Sequence, residues 1–411
     1  MKKIGFVFPG QGSQFVGMGK QLYDNYAVAR ETFEECEDVL GYKMTDLCFE
    51  GDLDKLTMTS NTQPAILTVS IAALRAFREE MNLKASFLAG HSLGEYAALV
   101  CANAVSFQDA LKLVRKRGEL MEAAMNDGAI IAVMNLPVNQ VEEITKQVSG
   151  EDGFASVANY NSYNQVCVAG NLAAINRAEE AFRKKNAKTV RLKVSSAFHT
   201  KAMLPAALAF NEALKEVKFS DLSTPVISNV TGVPYSSADG IVENLTKQIF
   251  LPVQWCSSVE YMKNQGVHTY LEFGPKKVLG GLISQIDERS KVIQVGNKDD
   301  ILKVKGAGLE EKPDYMEFMI GCIGLAVSTP NKNWNNEEYA NGVVKPYRAI
   351  SDLQLELEKS NQIPSLAQVK DAYHMIQLVL KTKMLPEEEC TQLLDELIEA
   401  TNMKDELGKE C

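Results

Sequence analysis

The sequence predicts an α/β fold: a parallel-sheet core, a smaller unit inserted into it, and a helical extension at the C-terminal end. Three observations lead there. Short β-branched and aromatic runs end in glycine-rich loops and are followed by apolar residues at helical spacing. Between about residues 129 and 195 the order of these elements changes. Beyond residue 300 strand-like runs fade and the chain becomes markedly acidic. A length of 411 residues exceeds what one hydrophobic core organises. We therefore expect a first domain over 1–300, with the insertion at about 129–195, and an extension over 301–411.

In chain order, Lys3 to Phe8 reads as a buried strand stopped by Pro9-Gly10, and Phe87 to Gly90 as another, stopped at His91-Ser92. Between them Ile66, Val69, Ala73 and Phe77 place a helix over Pro64 to Met81, and a second helix is expected from Leu93 to Ala102. Strand, turn and helix in this order form an open sheet, whose ligands collect at the carboxyl ends of its strands. The insertion reads as strand (Ile130 to Met134), helix (Val138 to Val148), strand (Ala155 to Asn159), strand (Gln165 to Ala169), helix (Leu172 to Lys184) and strand (Thr189 to Val194). That β-α-β-β-α-β order is the ferredoxin-like split unit. The first pattern resumes with a strand at Pro225 to Val230, a helix through Trp255 to Met262, a strand at Thr269 to Phe273 and a helix opened by the Gly274-Pro275 turn. In the extension, Ser365 and Gln368 make a capping box ahead of Val369, Tyr373, Ile376 and Leu380. Pro386 opens a helix carrying Leu393, Leu394, Leu397 and Ile398.

Composition narrows the function. With 45% hydrophobic and 23% charged residues the chain is an ordinary folded protein. A net charge of −10 argues against binding to nucleic acid, which needs a concentrated basic surface. The apolar run after Met1-Lys2-Lys3 is too short for an export signal, and Phe318 to Val327 falls short of the ~20 residues that cross a bilayer, so no membrane role is expected. Eight cysteines, without any C-x-x-C pair, fit reduced thiols in the cytoplasm. Four histidines, two of them isolated, offer few ligands for a transition metal, and none is expected.

Gly90-His91-Ser92-Leu93-Gly94 matches G-x-S-x-G between an expected strand and an expected helix, which is the setting of a nucleophile elbow and marks the core as α/β-hydrolase-like. A glycine-rich turn with an idle serine is the plainer alternative. A serine hydroxyl needs a base. His91 should point away from the Ser92 side chain, His268 opens a strand and His374 lies in the extension, which leaves His199, in the loop Ser195 to Thr200. A loop histidine can equally be surface structure. The loop Phe8 to Gln14 fails as a dinucleotide site because Phe15 occupies the third glycine position. It fails as a phosphate loop because Gln14 and Gln21 flank Gly19-Lys20 where glycine and Ser/Thr belong. Its backbone amides suit an oxyanion near Ser92 instead.

With these motifs in place, the chain resembles the malonyl-CoA:acyl carrier protein transacylase family, including the discrete acyltransferases that load polyketide synthases. The resemblance covers roughly residues 1–295. It rests on FPGQGSQ at 8–14, TQPA at 62–65, GHSLGEYAAL at 90–99, Arg117-Gly118, the A-N-x-N run Ala158 to Asn161, AFHT at 197–200, SNVTG at 228–232 and PVQW at 252–255. The resemblance implies Ser92 as nucleophile and His199 as general base and then general acid. It implies backbone amides of Gln11 and Leu93 as the oxyanion hole, and a backbone carbonyl near Gln254 orienting the histidine in place of an acid. Asn159 and Asn161 count among its substrate-binding positions.

Read alone, Arg117 is a solvated helix arginine. The resemblance makes it the partner of the malonate carboxylate, a charge-assisted contact worth roughly 1.5 to 3 kcal/mol that uncharged acyl groups cannot make. Phe198 resembles the malonyl-selective version of its loop and would fill the space a 2-methyl group needs. The substrates implied are malonyl-CoA and the phosphopantetheine thiol of an acyl carrier protein, with no bound cofactor. Arg183, Lys184, Lys185, Lys188 and Arg191 form a basic cluster that could dock an acidic carrier protein, or be a solvated helix end. The rival functions are a proofreading acyl hydrolase of the same fold, a generic esterase and a catalytically idle synthase scaffold. Tyr163 and Ser196 depart mildly from the family pattern, and the extension is the largest departure from its housekeeping members.

Overall fold

The computed structural model describes residues 2–124, 127–192, 196–309 and 313–407. The chain forms two compact units, Met1–Leu309 and Glu310–Cys411. The first is a mixed α/β unit with two separate sheets. Its strands are β1 (Ile4–Phe8), β2 (Phe87–Gly90), β3 (Gly128–Met134), β4 (Ala155–Ser162), β5 (Gln165–Asn171), β6 (Lys188–Arg191), β7 (Val226–Ile227), β8 (Thr269–Phe273) and β9 (Lys291–Val295).

The larger sheet has the order β7-β2-β1-β8-β9, with every neighbouring pair parallel. A parallel sheet must be covered on both faces, and all five residues of β1 are buried. Phe6 and Phe8 face one way, onto Phe77 and Phe273, while Val7 faces the other, onto a cluster containing Trp255 and Ile283. Placing β1 between β2 and β8 sets the loops that follow β1 and β2 side by side at the carboxyl edge of the sheet.

The smaller sheet is antiparallel, in the order β4-β5-β3-β6. Alternate residues serve two cores. Ile131, Val133, Val157 and Val168 pack with Val141, Ile144, Ile175 and Phe182 of the helices Val138–Val148 and Leu172–Lys184. Ile130, Ala132, Ala158, Cys167 and Ala169 join the core of the larger sheet. The last strand of this sheet, expected over Thr189 to Val194, runs over Lys188–Arg191; Leu192 follows it outside the strand, and Lys193 and Val194 lie outside the described residues.

Several boundaries differ from expectation for local reasons. The long helix begins at Thr59 rather than Pro64, so Pro64 lies inside it. Proline removes the bond to the carbonyl four residues back. That carbonyl, on Ser60, instead accepts a hydrogen bond from Arg115 at 3.1 Å. β7 is two residues long because the chain turns at once, Gly232 N–H donating to the Ser228 carbonyl at 2.8 Å. The helix after Gly274-Pro275 starts only at Leu279, where the buried Glu272 carboxylate accepts the N–H groups of Val278, Leu279 and Gly280 at 2.7–2.9 Å. The first unit ends at Leu309 and not at 300, because Ile301 and Val304 of the helix Lys298–Gly306 are buried in its core.

The second unit is helical, with Tyr315–Ser328, Lys345–Ser360, Leu366–Thr382 and Glu387–Ala400 as its main helices. The Ser365/Gln368 capping box is formed. Its core is an apolar cluster around Phe318, Cys322, Tyr373, Ile376 and Ile398. Among the described residues no helix is long and apolar enough to cross a membrane.

Candidate functional site

Ser92 lies in the turn between β2 and the helix Gly94–Cys101, with φ at 52°, a left-handed conformation that costs a residue with a Cβ roughly 1–3 kcal/mol. Packing explains why glycine flanks it. A Cβ on Gly90 would overlap the backbone of Gly94, and one on Gly94 would overlap the carbonyl oxygen of Phe8. The two loops also interlock, since His91 N–H donates to the Phe8 carbonyl at 3.0 Å and a Cβ on Gly10 would strike the His91 carbonyl. Asn229 clamps the strained turn from outside: its side-chain oxygen accepts from Ser92 N–H and its amide donates to the Gly90 carbonyl, both at 2.6 Å.

Ser92 Oγ lies 2.8 Å from His199 Nε2, and His199 Nδ1 lies 2.7 Å from the backbone carbonyl of Gln248. A carbonyl only accepts, so Nδ1 carries the proton and Nε2 is left to accept from the serine hydroxyl. This corrects the expectation for Gln254. Its carbonyl is taken by Ser258, 3.0 Å from the backbone N–H and 2.9 Å from Oγ, at the start of the helix Trp255–Asn264. Gln248 instead ends the helix Asp239–Gln248, where carbonyls lack partners within the helix and point along the negative end of its dipole. His199 also has positive φ, 58°. Burial, then the charge of Arg117, pushes its imidazole pKa down to about 3 against the pull of the Gln248 carbonyl, so the ring is neutral at neutral pH.

Arg117 is 1% exposed, on the helix Phe107–Ala123. Gly118 beside it lets that helix approach the Thr59–Ser60 backbone, where a Cβ would lie 2.7 Å from Ser60 Cα. Arg117 Nη2 donates to Ser92 Oγ and to Gln248 Oε1, each at 3.0 Å. Its Nε has no hydrogen-bond partner among the described residues. Its guanidinium carbon lies 5.7 Å from the centre of the Tyr96 ring. A buried cation with an N–H to spare, and with no carboxylate bonded to it among the described residues, is suited to an incoming anion.

Ser92, His199 and Arg117 line one cavity of about 920 Å³, together with Gln11, Leu93, Asn159, Asn161 and Phe198. Among the described residues, the N–H groups of Gln11 and Leu93 are not taken by backbone carbonyls outside the regular elements. Asn161 Oδ1 lies 2.8 Å from His91 Nε2. Asn159 is held where β4 meets the PVQW segment, Tyr160 N–H donating to the Val253 carbonyl at 2.9 Å. Gln254 does not line the cavity, and neither does the basic cluster. Within that cluster Arg183 and Arg191 both pair with Glu179, at 3.0 and 2.7 Å, and Lys184, Lys185 and Lys188 are exposed. Sequence reasoning missed Gln248, Glu95 and the role of Asn229. Glu95 and Asn229 stood inside quoted motifs, whereas Gln248 had no local signal. Among the described residues no group of three His, Cys, Asp or Glu is placed to hold a metal.

Residues 5–284 match the family described as acyl transferase domain. A malonyl CoA-acyl carrier protein transacylase of Bacillus subtilis is 36% identical over 403 residues, 96% of this chain and 100% of that protein, so the similarity runs into the helical unit. Another, from Bacillus subtilis strain 168, is 41% identical over 304 residues, 73% of this chain and 96% of that protein. Among solved structures, the malonyl CoA-acyl carrier protein transacylase of Clostridium perfringens superimposes with a TM-score of 0.71 at 37% identity, covering 74% of this chain and 96% of that one. A malonyl-transacylase in complex with its type II PKS acyl-carrier protein gives 0.73 at 36% identity, covering 75% and 100%. The chain belongs to the malonyl CoA-acyl carrier protein transacylase family.

Proposed function

We propose that this chain transfers malonyl from malonyl-CoA to the phosphopantetheine thiol of an acyl carrier protein in the cytoplasm, through a malonyl ester on Ser92. One observation carries the reading: Ser92, His199 and a buried Arg117 with an N–H to spare line one cavity, and the imidazole is held from behind by the Gln248 carbonyl.

In the first half-reaction His199 Nε2 takes the serine proton as Oγ attacks the thioester carbonyl. The oxyanion is received by the N–H groups of Gln11 and Leu93, and the CoA sulfur leaves with the proton from His199. In the second, the same imidazole takes the proton of the carrier thiol, sulfur attacks the ester, and Ser92 leaves protonated. Arg117 receives the malonate carboxylate. That anion offsets the charge that depresses His199, so a malonyl substrate makes its own base stronger. Phe198 bounds the acyl site and favours malonyl over methylmalonyl. Asn159 and Asn161 line the acyl site and hold its wall, and Lys184, Lys185 and Lys188 offer charge to an acidic carrier. We assign the chemistry to the first unit, reading its larger sheet as α/β-hydrolase-like and its smaller sheet as a ferredoxin-like insertion.

Intact-mass measurement after mixing with malonyl-CoA tests this. The expected result is one malonyl group on Ser92, absent in Ser92→Ala and discharged by holo carrier protein faster than by water. Malonate release as the main product with carrier present would make the chain a hydrolase, and no mass gain would make it a scaffold.

A further inference from the structure

Glu95 follows the elbow directly, and its carboxylate is 1% exposed in the interior of the first unit. Among the described residues, every group hydrogen-bonded to it is a donor. Tyr235 Oη donates to Oε1 at 2.5 Å, Gln248 Nε2 donates to Oε2 at 2.6 Å, and Asn229 N–H is 3.3 Å from both oxygens. An ionised carboxylate only accepts, so it satisfies all three.

Two of these donors belong to residues that hold the site. Gln248 carries His199 on its backbone carbonyl and Arg117 on its side-chain oxygen. Its side-chain amide can face either way, and two acceptors fix the choice: Glu95, and the Ser92 carbonyl at 2.9 Å, both on the Nε2 side. Flipping that amide would turn its NH2 toward the Arg117 guanidinium and leave the cation without this acceptor. Asn229, tied to Glu95 through its backbone, clamps the peptide groups on either side of the strained turn.

We propose that Glu95 is the positioning residue of this site, acting through Gln248 and Asn229 to hold Arg117, His199 and the Ser92 turn in one arrangement. It touches no substrate. The proposal rests on the acyl-serine reading above and adds to it the acid that the Ser92–His199–Gln248 series lacks, one step removed from the imidazole.

Ionisation gives the role a signature. Burial raises the Glu95 pKa to about 7, against the pull of Tyr235, Gln248, Asn229 and Arg117. The titratable groups around it are Arg117 on the helix Phe107–Ala123, Tyr235 in the segment after β7, and Tyr96 on its own helix, with His199 beyond Gln248. A protonated Glu95 presents an O–H to neighbours of which Gln248 Nε2 and Asn229 N–H cannot accept it, so the arrangement loosens as pH falls. In the free site His199 protonates only at far lower pH, near 3, and burial, the largest cause of that depression, persists when malonate offsets Arg117, so its titration stays below that of Glu95.

The experiment is the single-turnover rate of Ser92 malonylation by malonyl-CoA, read by intact mass between pH 5 and 8.5, in the full chain and two variants. In the unsubstituted protein the rate is expected to fall on the acid side with a midpoint near neutrality. Glu95→Gln is expected to lose about 10²-fold at pH 8, the scale of a small misplacement of reacting groups, and to lose the acid-side fall as well. Tyr235→Phe removes the shortest donor to the carboxylate, so it is expected to keep the fall and move it to higher pH. A folded Glu95→Gln with the original rate, or with the original acid-side fall, overturns the proposal. If that variant does not fold, Tyr235→Phe decides, and an unmoved midpoint overturns it. Absence of malonylation in the unsubstituted protein would remove the acyl-serine reading and this proposal together, whereas failure confined to the variants removes Glu95 alone.

Discussion

Each unit of the chain buries a cation, and the two are held in opposite ways. In the helical unit Lys383, 3% exposed, donates to the carbonyls of Ala326 and Thr329 at 2.7 Å and to Thr329 Oγ1 at 3.3 Å. An ammonium has three N–H groups, and three acceptors take them. Those acceptors sit at the end of the helix Tyr315–Ser328, where orphaned carbonyls and the negative pole of the helix dipole favour a cation. In the α/β unit Arg117 is as deeply buried, but among the described residues its hydrogen bonds run from Nη2 to a serine and an amide oxygen, and its Nε has no partner. Burial alone does not distinguish a structural cation from one that awaits a ligand. The balance of donors and acceptors does.

Substitutions can sharpen or break that contrast. The largest expected effect is in the Arg117 cavity: His199→Ala should slow malonylation of Ser92 by about 10³-fold or more, since the hydroxyl loses its proton acceptor, as stopped single-turnover assays would read.

Next comes an effect on stability. The native His199 imidazole stays neutral from its ordinary pKa of 6.5 down to about 3, while in the unfolded chain it takes up a proton below 6.5. Stability is therefore lost as pH falls through that window, at roughly 1.4 kcal/mol per pH unit once well below 6.5. Glu95, raised from 4.5 to about 7, acts with the opposite sign above 4.5, because there the native state holds the extra proton. The measurement is accordingly a difference: between pH 7 and 5 the urea midpoint of the unsubstituted protein should fall further than that of His199→Gln.

Arg117→Ala should lower kcat/KM for malonyl-CoA by about 10- to 150-fold, matching a contact worth roughly 1.5 to 3 kcal/mol, and spare acetyl-CoA. An equal loss with both substrates would mean that the guanidinium supports the fold rather than the acyl carboxylate. Lys383→Met leaves three buried acceptors unpaired and should cost about 1–3 kcal/mol in the unfolding of the helical unit, with malonylation of Ser92 unchanged. The smallest effect belongs to the exposed basic cluster, where Lys184→Glu with Lys185→Glu should raise KM for carrier protein a few-fold, as screened surface charges do, and leave malonyl-CoA kinetics alone.

Much of the site was legible because its causes are local. The elbow needs glycine at position 90 for contacts with Gly94 and Glu95 in the same turn, while Gly94 and Gly10 are needed where the loops after β2 and β1 interlock. The strands and helices of the smaller sheet's region were readable from alternating and helical spacing, and the helices Val138–Val148 and Leu172–Lys184 fall where that spacing put them. The start of the Thr59 helix was not readable, because an arginine 55 residues away satisfies the carbonyl that Pro64 abandons.

The sequence by itself determined the chemistry of the side chains: a serine in a turn only glycines permit, a histidine, an arginine and the amide-rich loop after β1. Only the tertiary structure decided how they are held. His199 meets the carbonyl of Gln248, 49 residues away, and not that of Gln254. A helix end offers several unpaired carbonyls, and which one reaches the ring depends on how that helix packs. Glu95 was visible as a letter in a motif, but its partners Tyr235 and Gln248 lie 140 and 153 residues along the chain, so its place behind the site is a property of the fold.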